Sequence, residues 1–165
     1  MASTGSVTTR KVVELLRARE GGLSSVVAQL AEESGVALAS VTPAQVLNQN
    51  VSMELSERSQ VVKYPVVHVY TDRIRNELKE KFRKFSGKVR TVAEIRVSHD
   101  RIEGIEERLR LYVDAVTRVL DANRGSWGEG THFGGQYEVT IEPVKHGGKN
   151  FLQMAKVIFE VDLSS

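Results

Sequence analysis

The chain has no cysteine among its 165 residues, which excludes a disulfide framework and any thiolate metal site. That absence does not identify a compartment, because reducing and oxidising locations both tolerate it. No apolar run approaches the roughly 20 residues needed to span a bilayer. The opening "MASTGSVTTRKVVELL" lacks the continuous apolar core of a secretory signal, so folding in a cytosol is expected. Apart from one glycine-rich loop there is no low-complexity tract, and no repeat of fixed period. What remains is an ordinary globular composition, 41% hydrophobic and 27% charged, long enough for one domain with an appended segment.

The net charge of +2 conceals an uneven distribution. Residues 73–90, "RIRNELKEKFRKFSGKVR", hold eight Lys or Arg against Glu77 and Glu80, a surplus of six. Such a stretch suits nucleic acid or an acidic protein face; a solvated, self-paired surface accounts for it equally simply.

Periodicity predicts two N-terminal helices, one capped by Thr8 or Thr9 and running to Glu20, the other over "LSSVVAQLAEESG" with Gly35 as its stop. Residues 36–60 show weak periodicity and read as a linker or a loosely attached arm. From Val61 the pattern sharpens. "VVKYPVVHVYT" reads as a strand, at an edge or bulged because Pro65 lacks an N–H. A short helix is expected between Asp72 and "FSG". "KVRTVAEIRVS" alternates, with Val89, Thr91, Ala93, Ile95 and Val97 on a dry face and Arg90, Glu94 and Arg96 on the other. A long helix is predicted over 101–123, opened by a capping box of Asp100 and Glu103. Its apolar stripe is Ile102, Ile105, Leu109, Tyr112, Val113, Val116, Val119 and Leu120. Two more strands, "QYEVTIEPV" and "FLQMAKVIFEVDL", close the chain around a Gly147-Gly148 turn.

The expected fold is α+β: a largely antiparallel four-stranded sheet in the order β-β-α-β-β, one long helix on a face, and N-terminal helices before it. The expected division is residues 1–60, a helical segment with linker, and residues 61–165, the α+β domain. One sheet face is covered by the helix. The second carries Val62, Tyr64, Val66, Tyr70, Leu152, Met154 and Ile158, and wants a cover from the N-terminal helices or from a neighbouring subunit.

Sites for chemistry are scarce. "GSWGEGTHFGGQYEV" has five glycines between Gly125 and Gly135 but no Walker-type Lys-Ser or Lys-Thr pair, and it leads from helix into strand, the reverse of a dinucleotide loop. It reads instead as a mobile arm contributing little to the core, with Trp127, His132 and Phe133 as contacts for a partner. His68, His99, His132 and His146 lack the i, i+3 or i+4 spacing of metal ligands on a helix. Ser98-His99-Asp100 are neighbours whose side chains are expected to diverge, and Glu103, Glu106 and Glu107 belong to a solvated helix face or an intersubunit charge surface. No metal, cofactor or enzymatic activity is expected.

The segments "YPVVHVYTD", "KFRKFSGKVRTVAEIRVSHDR", "LRLYVDAVTRVLDANRGSW" and "YEVTIEPVKHGGKNFLQMAKVIFEVDL" resemble a tail terminator protein of long-tailed bacteriophages, over residues 61–163. The resemblance implies a hexameric ring that caps the head-proximal end of the tail tube, stops its polymerisation and joins the head connector, with DNA passing through the lumen. The implied partners are a second copy of the chain, the tube protein, the connector or neck protein, and a sheath or sheath terminator where the tail contracts. It also implies a place in the virion after assembly in the host cytoplasm. Within it the glycine loop reads as an assembly arm, and the hairpin around Lys145, His146, Lys149 and Asn150 as a second docking element. Arg73, Arg75, Lys81, Arg83 and Lys84 would oppose an acidic tube surface or line the lumen weakly. The alternatives are another neck or connector protein, and a nucleic-acid module using the basic stretch with Phe82 and Phe85, whose binding would fall steeply with salt.

Overall fold

Two long strands of alternating β-branched residues set the architecture. In the computed structural model, which describes residues 4–59 and 62–165, β3 (Ser86–His99) and β8 (Phe151–Ser164) pair antiparallel along their whole length, Ser86 opposite Ser164 and His99 opposite Phe151. The hairpin partner β2 (Val66–Asn76) lies on the far side of β3, and β1 (Val46–Leu47) adds to β2 in parallel. The other edge of β8 is shared end to end by three short strands: β5 (Thr131–Phe133), β6 (Tyr137–Ile141) and β7 (Lys145–His146). Outside β5 runs β4 (Gly125–Gly128).

The protein is therefore α+β, but its sheet has eight strands and one parallel pair where four antiparallel strands were expected. The additional strands are two to four residues long, below the length at which alternation gives a readable signal.

One face of the sheet carries all the large helices. α4 (Ile105–Asp121) packs across β3 and β8; α1 (Thr4–Arg17) lies on β2; α2 (Leu23–Ser34) lies against α4. Their apolar stripes meet Val67, Val69, Ala93, Ile95, Val157, Phe159 and Val161 in one cluster. The dry face read from β3 is borne out, since Val89, Thr91, Ala93, Ile95 and Val97 are all buried. The N-terminal helices thus thicken the face that α4 already covers, leaving the second face to something else.

That something is the stretch expected as a loose linker. Residues 43–45 form a 3-10 turn closed by Thr42 and Gln45, and Gln45 Nε2 donates to Pro65 O at 2.7 Å. Beyond β1 the chain crosses to the second face and ends in α3 (Met53–Ser59). Val41, Gln45, Val46, Met53 and Ser56 are buried, so this stretch is part of the packing. Its polar residues hid that role because their partners, Pro65 O for Gln45 and the Arg96 side chain for Ser56, lie far along the chain and leave no hydrophobic period.

Several boundaries move. α1 begins at Thr4, so Thr8 and Thr9 lie inside the helix; Thr9 Oγ1 donates back to Gly5 O at 3.2 Å, the intrahelical alternative to capping. α4 starts after Gly104, with no side-chain cap, and the Asp100–Glu103 box does not form. Ile102, assigned to its stripe, is exposed. β2 starts after Pro65 and continues, past a bulge at Thr71–Arg73, to Asn76, where a short helix was expected. Val61 lies outside the described residues.

Candidate assembly surfaces

The glycine-rich segment folds as the β4–β5 hairpin. Glu129 and Gly130 both take positive φ at its turn, 51° and 77°, the conformation of a two-residue hairpin loop. A Cβ on Gly130 would stand 2.1 Å from Ser164 O, so only glycine lets the turn lie against the last strand. Arg10 and Lys11 of α1 both pair with Glu129, Lys11 at 3.6 Å, and fasten the tip.

Its aromatic residues face inward. Phe133 is fully buried, with ring centroids 5.4 Å from Trp127 and 5.5 Å from Phe159. Trp127 is half-buried, and its Nε1 donates to Asn123 O at 2.6 Å. Phe133 is therefore a core residue and not a contact for a partner; only His132 of the three proposed contacts is exposed. Glycine content suggested mobility, but the glycines here serve a turn and a close approach beside an aromatic trio of buried Phe133 and Phe159 with half-buried Trp127.

The Lys145–Asn150 hairpin is tied to its own chain. β7 pairs with Phe151 and Leu152, the His146 ring meets the edge of Phe151, and Lys145 Nζ lies 3.9 Å from Glu54 of α3. Lys149 and Asn150 remain exposed at the turn.

The basic stretch divides into parts. Lys88 pairs with Glu160 at 3.4 Å and Arg90 with Asp72 at 3.4 Å, across the sheet. In the nine-residue tip between β2 and β3, residues 77–85, Lys79 pairs with Glu77 and Arg83 with Glu80. Arg73, Arg75, Lys81 and Lys84 are exposed and make no ion pair among the described residues.

The base of this tip is built firmly. Asn76 Oδ1 accepts from Leu78 N and Ser86 N, Asn76 Nδ2 donates to Lys84 O, and Ser165 exchanges backbone hydrogen bonds with Phe85. From that base Phe82 projects with its whole surface in solvent and Leu78 with 65% of its own. Both take positive φ, 50° at Leu78 and 65° at Phe82, which non-glycine residues with bulky side chains seldom do.

The second sheet face holds a polar cluster that alternation alone assigned to solvent. Arg96 Nε donates to Glu94 Oε2 at 2.6 Å, and its Nη atoms reach Val51 O and Ser56 Oγ at the start of α3. Tyr70 OH donates to Glu94 Oε1 at 3.0 Å. His68 is buried beside them, and burial, aided by the Arg96 charge, lowers its pKa to about 4. Burial and then the Glu94 carboxylate raise the Tyr70 pKa. The network fastens α3 to the sheet. Its sequence signal is Glu94 and Arg96 two apart on one strand, with His68 opposite Glu94 and Tyr70 two residues further along the neighbouring strand.

His99 and Asp100 do not diverge as expected, since His99 Nδ1 lies 3.3 Å from Asp100 Oδ1, but that same nitrogen accepts from Arg101 N at 3.0 Å and Ser98 shares no hydrogen bond with the ring among the described residues. Among the described residues no three His, Asp or Glu side chains converge on a metal-sized site, and no helix is long and apolar enough to cross a membrane. No protein-family model matches the chain, and no curated protein sequence matches it.

Proposed function

We propose that the chain is a structural subunit of a phage tail, a tail terminator. Six copies form a ring on the head-proximal end of the tail tube, arrest its polymerisation and present the joint for the head connector. DNA passes through the lumen without sequence-specific contacts, and a sheath or sheath terminator adjoins the ring where the tail contracts. The role is architectural, without catalysis, in the virion after assembly in the host cytoplasm.

The observation that carries a docking role is the tip at residues 77–85. A rigidly based loop that holds a fully exposed Phe82 and a largely exposed Leu78, with Lys81 and Lys84 uncompensated beside them, gains nothing from solvent. Aromatic anchors ringed by charge are the composition of a contact that is completed by another protein. The resemblance over residues 61–163 supplies the tube end as that protein. The same tip is what a nucleic-acid module would use, and salt distinguishes the two readings, since phosphate contacts weaken steeply with added salt while an apolar anchor holds.

The test is native mass over a concentration series, combined with electron microscopy of polymerising tube protein. A sixfold mass and tubes of arrested length are expected. A chain that stays monomeric throughout and leaves tube growth unchanged refutes the proposal.

A further inference from the structure

Each subunit ends its sheet in two free edges, and these edges match one another. On one side β1 covers β2 only at Val67 and His68, and among the described residues no strand pairs with the outer edge of β2 beyond them. On the other side no described strand pairs with the outer edge of β6. A row of unpaired backbone N–H and C=O groups is a template for another strand. β6, "YEVTI", carries no proline and no lysine, and Tyr137, Val139 and Ile141 are each between 37% and 39% exposed.

The registers decide which side chains share a face. Ile74 lies opposite Val89, while Tyr137, Val139 and Ile141 lie opposite Phe159, Val157 and Ala155; all four belong to the helix-covered face. Arg73 and Arg75 lie opposite Arg90 and Lys88, and Glu138 and Thr140 opposite Ile158 and Lys156, on the second face. Glu142 N continues the β6 ladder to Met154 O, which places Glu142 there too. Joining two edges joins like face to like face. The β2 edge brings an exposed isoleucine on one face and two unpaired arginines on the other. The β6 edge answers with three apolar side chains on the first and two glutamates on the second.

Direction agrees as well. From β2 through β3 and β8 to β6 there are three antiparallel steps, so β6 runs opposite to β2. Copies related by rotation about an axis near the strand direction bring the two edges together antiparallel. The register that sets Ile74 against Val139 also sets Arg75 against Glu138 and Arg73 against Thr140, with Glu142 on the diagonal.

We propose that the outer edge of β2, at Arg73–Asn76, pairs antiparallel with β6 of a second copy, so that the sheet continues from subunit to subunit. The contact is head-to-tail and leaves a free edge at each end, so it propagates until it closes. The inference deepens the ring reading above and rests on it for that closure.

Four chains test it by native mass over a concentration series: wild type, Arg75→Glu, Glu138→Arg, and the two reversals together. Both positions are exposed, and an unchanged circular dichroism spectrum checks that each variant folds. Each single reversal sets like charges opposite and is expected to raise the assembly midpoint at least about fivefold. The double reversal restores opposite charges and is expected to return it to within about twofold of wild type. A hexamer indifferent to both single reversals overturns edge pairing and leaves the ring standing. Open chains of indefinite mass that show the loss and the rescue support edge pairing and refute the ring. Assembly that occurs only with added tube protein assigns the edge to that partner and overturns self-pairing, as does a monomer at every concentration.

Discussion

Replacing Phe133 with alanine discriminates sharply between an assembly arm and a structural hairpin. The side chain is wholly buried, packed tilted against Trp127 and edge-on against Phe159, on a strand that pairs with Leu163 and Asp162. Truncating such a phenylalanine costs about 3–5 kcal/mol through lost burial and the cavity left behind. Its two aromatic contacts place it toward the upper end, at about 0.5–1.5 kcal/mol each beyond area alone. For a chain of this size each kcal/mol moves the melting midpoint by about 2–4 °C, so a fall of roughly 10–15 °C is expected. Trp127→Ala, at a half-buried position, is expected to lose about half as much. The assay is thermal unfolding followed by circular dichroism at neutral pH. A Phe133→Ala midpoint within about 2 °C of wild type, the behaviour of a mobile loop, would refute the packing described here.

Two further outcomes test the sheet's faces. His68 is buried neutral, with a pKa lowered from 6.5 to about 4, so its contribution is fully present above pH 6.5 and fades as pH falls toward 4, because the unfolded chain takes up the proton first. At pH 4.5 that is a loss of roughly 2–3 kcal/mol; His68→Gln is expected to shrink the acid sensitivity in melts between pH 7.5 and 4.5 by this amount, and an unchanged fall in the variant would show that His68 is not its source. On the opposite face Ile95 is fully buried among the helices, and Ile95→Asp, which puts an unpaired carboxylate there, is expected to leave the chain unfolded by circular dichroism; a folded, soluble variant would mean that the face is misassigned.

The parts of the fold that were legible in the sequence were those where one physical pattern dominates over many residues. β3 alternates for most of its length and α4 keeps a continuous apolar stripe, so the residues assigned to their dry faces are buried apart from Ile102, while the burial of Glu94 and Arg96 on the other face of β3 and of Ala115 in α4 was missed. Gly35 takes the left-handed conformation after α2 as expected. Reading failed where tertiary partners substitute for a local signal. Gln45 and Ser56 look like linker residues until Pro65 O and Arg96 provide their hydrogen bonds. Thr8 and Thr9 look like caps because hydroxyls favour helix ends, and nothing local reveals that four further residues join the helix ahead of them.

The candidate surfaces were legible in inverse order to how conspicuous they looked. The glycine loop drew attention through Trp127 and Phe133, yet those rings are the residues that the fold consumes. The tip at 77–85 was read for its charge, with Phe82 noted only as an aromatic among the cations; its full exposure and that of most of Leu78 emerge once the backbone path is seen. The sheet edges were invisible for a deeper reason. Whether a strand's outer N–H and C=O groups are paired depends on strand order, and strand order is set by crossovers that no window of the sequence contains. "YEVTI" and "RIRN" are ordinary strand fragments until β8 takes three short strands in succession along one edge and β1 stops at Leu47 on the other. Complementarity between Arg75 and Glu138, sixty-three positions apart in sequence, then follows from placement at opposite ends of the sheet and from the shared face that the registers impose. An assembly surface of this kind is a property of topology first and composition second.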